Sequence, residues 1–345
     1  MAKRLSAFVP YLGAENMTSL LPIFDKLLNS EETYVRDTAV VAFGKVVDSF
    51  TSAHASQIDE YKQLFVKLTT DEEYIETFYS RASACQMIVS LYRAYMRLVG
   101  ADGVDAAATE LYDATKTELR KQYFALQSDE HVIVRSLASK QYVAFINCVE
   151  GEFLPSEFLD SYKVMLEDDC IPIRVYAQTL LSVLAKKYHE MELNAILLSE
   201  IMPLLKAFSE DASWRVRQAA LTDFTSFVHM FSPAEVTSDL FPIIIKLLQD
   251  NEPEVRQYVI EHLKPFQSIV GKQSFTNQLI PICKRLVDDP ILSVKKLFTD
   301  FCLDQAIEGE QEPLFVSLLL FSLRFRMPYS HYQFALYLLL SFFLS

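Results

Sequence analysis

A chain of 345 residues, 51% of them hydrophobic, carries enough apolar material for an extended core. Its net charge of −13 argues against nucleic acid as a partner, because phosphate binding needs a basic surface that releases counterions. Seven glycines leave little material for phosphate-cradling loops, while Leu, Ala, Glu and Lys, which favour helices, are plentiful.

Residues 1–13 start basic but hold too short an apolar run for a signal peptide, so the expected compartment is the cytoplasm, with the nucleus as a second location. From residue 14 a pattern repeats. The first unit has Thr18, Pro22, Ser30 and the anchor Val35-Arg36. The second has Ser80-Arg81, but its acidic residue, Asp71, lies ten positions ahead of the arginine, so its turn carries an insertion. A longer connector with Gly100 and Gly103 leads to the third unit, with Asp129 and Val134-Arg135. The fourth has Asp168 and Ile173-Arg174, and the fifth has Ser199, Pro203, Asp211 and Val216-Arg217.

The sixth unit shows the physical content most fully. Ser238 is placed to cap a helix in which Leu240, Ile243, Ile244, Leu247 and Leu248 share one face. Asp250-Asn251-Glu252-Pro253 then stops that helix and opens another, whose stripe is Val255, Val259, Ile260, Leu263 and Phe266. The seventh unit repeats the scheme with Asn277, Pro281, Asp289 and Val294-Lys295.

The basic anchors are separated by 45, 54, 39, 43, 39 and 39 positions. A small polar or acidic residue stands six before the anchor in six units, and a proline fourteen before it in four. Each proline follows Thr18, Ser199, Ser238 or Asn277 by four, which reads as a cap and a first-turn proline. A helical hairpin of this size leaves an apolar face uncovered unless it stacks on a neighbour. The predicted fold is therefore all-α, an α-solenoid of stacked helical hairpins: an N-terminal segment 1–13, an array over 14–306 and a divergent hydrophobic tail 307–345.

That tail has apolar runs interrupted by Arg324, Arg326, Pro328 and His331, each short of the roughly 20 residues a bilayer crossing needs. A membrane is disfavoured as a partner. A degraded repeat, an aberrant C-terminus and a tail anchor all stay open.

Cys85, Cys148, Cys170, Cys283 and Cys302 are far apart, with no C-x-x-C, and read as buried small hydrophobes rather than disulfide or metal residues. The histidines are scattered, and His189-Glu190 lacks the second histidine of a zinc-protease helix. Nucleophile-elbow, Walker and dinucleotide glycine patterns are missing too. The expectation is a protein without enzymatic activity and without cofactors.

A hairpin of this length, with proline in its first helix and Asp then Val-Arg around its turn, resembles a HEAT repeat. Several segments are similar to the scaffolding (A) subunit of protein phosphatase 2A. They are Glu31-Glu32-Thr33-Tyr34-Val35-Arg36-Asp37, Ser80-Arg81-Ala82-Ser83-Ala84-Cys85 and Ser128-Asp129-Glu130 leading to Val134-Arg135. The most specific is Glu210-Asp211-Ala212-Ser213-Trp214-Arg215-Val216-Arg217. The likeness covers residues 14–306 and corresponds to the N-terminal repeats of that family.

The resemblance implies a non-catalytic scaffold whose N-terminal repeats hold a regulatory subunit, while its later repeats hold the catalytic one. Contact is made by the turns within each hairpin. Carried onto this chain, that ridge comprises Asp129, Glu130, His131, Asp168, Asp169, Glu210, Asp211, Trp214, Arg215, Asp250, Asn251 and Glu252. After Gln305 the register fails, and the family's later repeats are not matched within these residues. The expected partner is therefore the phosphatase's regulatory subunit; its catalytic subunit is a weaker expectation. An importin-like transport receptor and a membrane-attached adaptor are the alternatives.

Three features carry two readings from sequence. Trp214 is a contact anchor or a packing residue between hairpins. The arginines form a basic stripe, or a ladder to the acidic turns of their own or the next unit, with Asp211–Arg217 and Asp250–Arg256 the pairs to inspect. The acidic turns are solvated caps, or a negative edge that steers a basic partner.

Overall fold

The computed structural model describes residues 5, 11, 13–221 and 228–308, so the tail beyond residue 308 lies outside the described residues. Among the described residues every regular element is helical. The chain divides into two compact units, Met1–Ala177 and Gln178–Ser345.

In the first unit, α1 (Leu21–Leu28) and α2 (Thr33–Ser49) form one hairpin, and α3 (Ala55–Thr70) and α4 (Phe78–Val99) the next. The third pairs α5 (Ala106–Gln127) with α6 (Val132–Lys140), and the fourth pairs α7 (Leu159–Leu166) with the start of α8 (Ile171–Glu190). Aromatic rings fill the space between helices. Phe43 and Tyr61 sit 5.2 Å apart, and Tyr123 and Phe145 4.7 Å, at the tilted and edge-on angles that ring quadrupoles prefer. Buried phenols are satisfied by backbone carbonyls: Tyr61 donates to Met17, Tyr142 to Phe158 and Tyr162 to Ala177.

The second unit repeats this construction. Its hairpins are α9 (Met202–Phe208) with α10 (Trp214–Ala219), and α11 (Phe241–Leu247) with α12 (Pro253–Glu261), which α13 (Lys264–Val270) follows. The last pairs α14 (Lys272–Val287) with α15 (Leu292–Glu308). Leu240, Ile244, Leu247, Val255, Val259 and Phe266 are buried, as the sixth unit's stripes require.

The predicted caps are corrected. Thr18, Ser199, Ser238 and Asn277 all lie inside helical turns. In the sixth hairpin the cap is Ser232, which accepts from Glu235 N while Glu235 accepts from Ser232 N, a reciprocal capping box. The helix starts earlier than the stripe alone suggests because Val236 is also buried. Pro203 and Pro242 therefore fall in the middle of a helical path. Each follows a widened π-turn, Leu197–Ile201 or Val236–Leu240, which absorbs the register change at a ring that offers no N–H and crowds the carbonyl four residues back.

The cysteines are free, with Cys85, Cys283 and Cys302 buried. Burial pushes the Cys283 thiol up to about 12 and the Cys148 thiol to about 11, so neither is a ready nucleophile at neutral pH.

Candidate functional site

In the third to seventh hairpins the tip is built from the aspartate six residues ahead of the basic anchor. Its Oδ1 accepts the backbone N–H two residues on: Asp129 from His131, Asp168 from Cys170, Asp211 from Ser213, Asp250 from Glu252 and Asp289 from Ile291. This side-chain turn closes the first helix and aims the chain into the second. The anchor arginine then folds back over the same turn. Arg135 Nη1 donates to the carbonyls of Asp129 and Glu130, Arg217 Nη1 to those of Asp211 and Ala212, and Arg256 Nη1 to those of Asp250 and Asn251.

The remaining edge of the guanidinium reaches forward. Arg81 grips Asp129 through Nε at 2.7 Å and Nη2 at 3.2 Å, and Arg135 grips Asp168 at 2.8 and 3.1 Å. In the second unit Arg217 grips Asp250 at 2.6 and 2.7 Å, and Arg256 grips Asp289 at 2.8 and 2.9 Å. So the ladder expected from sequence is present, and it reaches both the anchor's own turn and the next one. Arg217 and Arg256 bond the carbonyls of their own turns, Asp211 and Asp250, and the carboxylates of the next turns, Asp250 and Asp289.

These forks are bidentate and largely shielded from water, the geometry in which a guanidinium–carboxylate pair is strongest. Burial pushes the Asp168 carboxyl up, but Arg135 and the Cys170 N–H outweigh it and hold it below its ordinary value. Asp250 behaves alike: burial raises it, and Arg217 with the Glu252 N–H bring it below the usual carboxylate range. The Asp168 and Asp250 bonds raise Arg135 and Arg217 in turn.

The predicted ridge residues thus separate into two kinds. Asp129, Asp168 and Asp250 are half-buried and hold consecutive hairpins together, and Asp211 is half-buried in its own turn. Glu130, Asp169, Glu210, Arg215 and Asn251 are exposed. Asp169 also meets Arg135, and Glu210 bonds Lys246 at 2.6 Å. His131 and Glu252 are half-buried helix caps, and the His131 ring stacks on Phe78 at 3.9 Å. Trp214 is half-exposed, with the Arg215 guanidinium over its ring at 4.5 Å. A hollow of about 490 Å³ opens between the tips of the fifth and sixth hairpins, with Glu210, Asp211, Arg217, Lys246 and Asn251 among its walls.

Sequence reasoning missed an apolar row at the same tips. Three residues ahead of the anchor stand Phe78, Val132 and Ile171 in the first unit, and Trp214 and Leu292 in the second. Val132, Ile171 and Leu292 are exposed, Leu292 to 77%. The signal is present in the sequence, since these residues share one offset from the anchor, but only the single tryptophan stands out by its rarity. A second omission is a buried polar cluster in the first unit. There Glu150 accepts from both Tyr92 and Lys116, and Arg120 bonds Glu157 at 2.8 Å. Among the described residues no group of acidic, histidine and cysteine side chains could hold a metal ion, and no helix is long and apolar enough to cross a membrane.

Paired helices, acidic turns and a repeated arginine–aspartate rung define an all-α solenoid of HEAT-type hairpins. Residues 240–270 match the family model of the HEAT repeat. The chain is 26% identical over 236 residues to the PP2A protein phosphatase's regulatory A-type subunit from Schizosaccharomyces pombe, covering 68% of this chain and 36% of that protein. It is 31% identical over 162 residues to the 65 kDa regulatory A-type subunit (alpha isoform) of the serine/threonine-protein phosphatase 2A from Arabidopsis thaliana, covering 46% of this chain and 24% of that one. It therefore spans about a third or less of the length of these relatives. Among solved structures, yeast importin-β (Kap95p) superposes with a TM-score of 0.54 at 13% identity, over 93% of this chain and 39% of that one. This last likeness concerns the fold alone.

Proposed function

We propose that the chain is a non-catalytic scaffold of a protein phosphatase 2A-type assembly, and that its hairpin tips hold a regulatory subunit. The observation that carries this reading is the sequence likeness to regulatory A-type subunits over about two thirds of the chain. The tips support it physically. They present exposed and half-exposed apolar side chains flanked by exposed carboxylates, a surface suited to a partner segment that is apolar and basic. The proposed setting is the cytoplasm, with the nucleus as a second location.

Trp214 and Arg215 are the residues to test, because tryptophan and arginine are enriched at binding hot spots and here they stack at a hairpin tip. Asp211 is left intact, since its carboxylate ties its own turn through Ser213 N. Pull-down of the regulatory subunit by Trp214→Ala/Arg215→Ala is expected to fall at least about tenfold, with helicity by circular dichroism unchanged. Undiminished capture by a folded double variant would remove Trp214 from the interface and the reading with it.

A further inference from the structure

Among the described residues, the first anchor of the ladder, Arg36, has no carboxylate on its fork. Arg36 keeps the backbone half of the arrangement, with Nη1 donating to the carbonyls of Ser30 at 2.7 Å and Glu31 at 2.8 Å. Its forward edge meets no aspartate. Nη2 turns to Thr33 Oγ1 at 3.2 Å, and the guanidinium lies over the Tyr79 ring, 4.9 Å from its centroid. Arg81, Arg135, Arg217 and Arg256 all spend this edge on an anion.

Tyr79 differs from the tyrosines of the core. Tyr61, Tyr74, Tyr92, Tyr95, Tyr123, Tyr142 and Tyr162 donate their hydroxyls to carbonyls or carboxylates. The Tyr79 hydroxyl has no bonding partner among the described residues, and its side chain is half-exposed. It stands on the first turn of α4, where Thr77 makes no side-chain cap and no acidic residue complements the helix dipole.

We propose that Tyr79 is a phosphorylation site, and that its phosphate supplies the anion missing between the first and second hairpins. In the transfer, Tyr79 Oη attacks the γ-phosphorus of a nucleoside triphosphate bound to a tyrosine kinase. The Oη–P bond forms, the bond to the bridging oxygen breaks, the nucleoside diphosphate leaves, and the phenolic proton passes to the kinase base. The product carries a charge of about −1.5 to −2 at neutral pH, on the ring that the Arg36 guanidinium overlies and at the positive end of α4. The opposing terms are exposed Glu76 and Glu130, of which Glu130 already faces Arg81 at 3.5 Å. This inference stands apart from the phosphatase reading.

The test uses the full chain with a broad-specificity tyrosine kinase and magnesium ATP, followed by peptide mapping and hydrogen exchange. Tyr79 is expected among the modified residues, and amides in the first turn of α4 should then exchange about two- to fivefold more slowly. Tyr79→Phe keeps the ring over Arg36 and should show neither change. Arg36→Lys should accept the phosphate with a smaller slowing, because lysine lacks the fork; if this variant fails to fold, the modified and unmodified native chains still decide. A native chain labelled on other tyrosines but not on Tyr79, or labelled on Tyr79 with unchanged or faster exchange, overturns the proposal.

Discussion

Asp289 shows how much one carboxylate carries in this fold. Its Oδ1 accepts the Ile291 N–H that turns the chain into α15, and both oxygens receive the fork of Arg256 from the preceding hairpin. Both side chains are nearly sealed from water, at 7% and 4% exposure. Removing one partner from such a pair leaves the other charge buried and uncompensated, which costs about 3 kcal/mol. Asp289→Ala is expected to lower the unfolding free energy of the second unit by about that amount in urea titration, whereas Glu130→Ala, exposed at an equivalent tip, should stay within about 0.5 kcal/mol. Equal effects would show that the rung is no stronger than a surface ion pair. The residues of the ladder were legible in the sequence, because offsets from a repeated anchor are visible without coordinates. Their pairing was not. Arg217 and Asp250 are 33 positions apart, and only stacking decides that the fork reaches forward rather than back.

At the level of helices and turns, the period placed the hairpins well and the caps poorly. Proline with a small polar residue four positions ahead satisfies the rules for a helix start, yet it also fits a helix interior where a π-turn makes room for the ring. Tertiary burial decides between them: Val236 and Leu240 need a helical path before Pro242, and the Ser232–Glu235 box supplies the true beginning. The turns themselves carry a pH dependence. Asp168 and Asp250 are held below their unfolded value of about 3.9, so the stability they add is fully present above that pH and is lost as pH falls through the lower folded values. Acid titration followed by circular dichroism should therefore show loss of helicity below about pH 4. Asp168→Asn/Asp250→Asn should start less stable at neutral pH and lose less on acidification. A double variant with the native acid profile would assign the transition to other carboxylates.

For the molecule as a whole, the charge of −13 bears on association rather than on the fold. The rungs neutralise many of the arginines at the tips, while Glu130, Asp169 and Glu210 remain at the surface. Such a field attracts basic surfaces in general, but it acts over only about 10 Å at 0.1 M salt. Contacts made after docking, such as the apolar burial proposed for Trp214, are short-ranged and much less sensitive to salt. The two contributions should therefore separate kinetically. Between about 50 and 500 mM salt, the association rate of the proposed regulatory partner should fall at least tenfold while its dissociation rate changes little. Glu130→Lys should lower the association rate, whereas Trp214→Ala should raise the dissociation rate. Surface plasmon resonance across a salt series reads both quantities. If salt acted chiefly on dissociation, the acidic residues would be in direct contact with the partner, and long-range steering would no longer describe how the tips work.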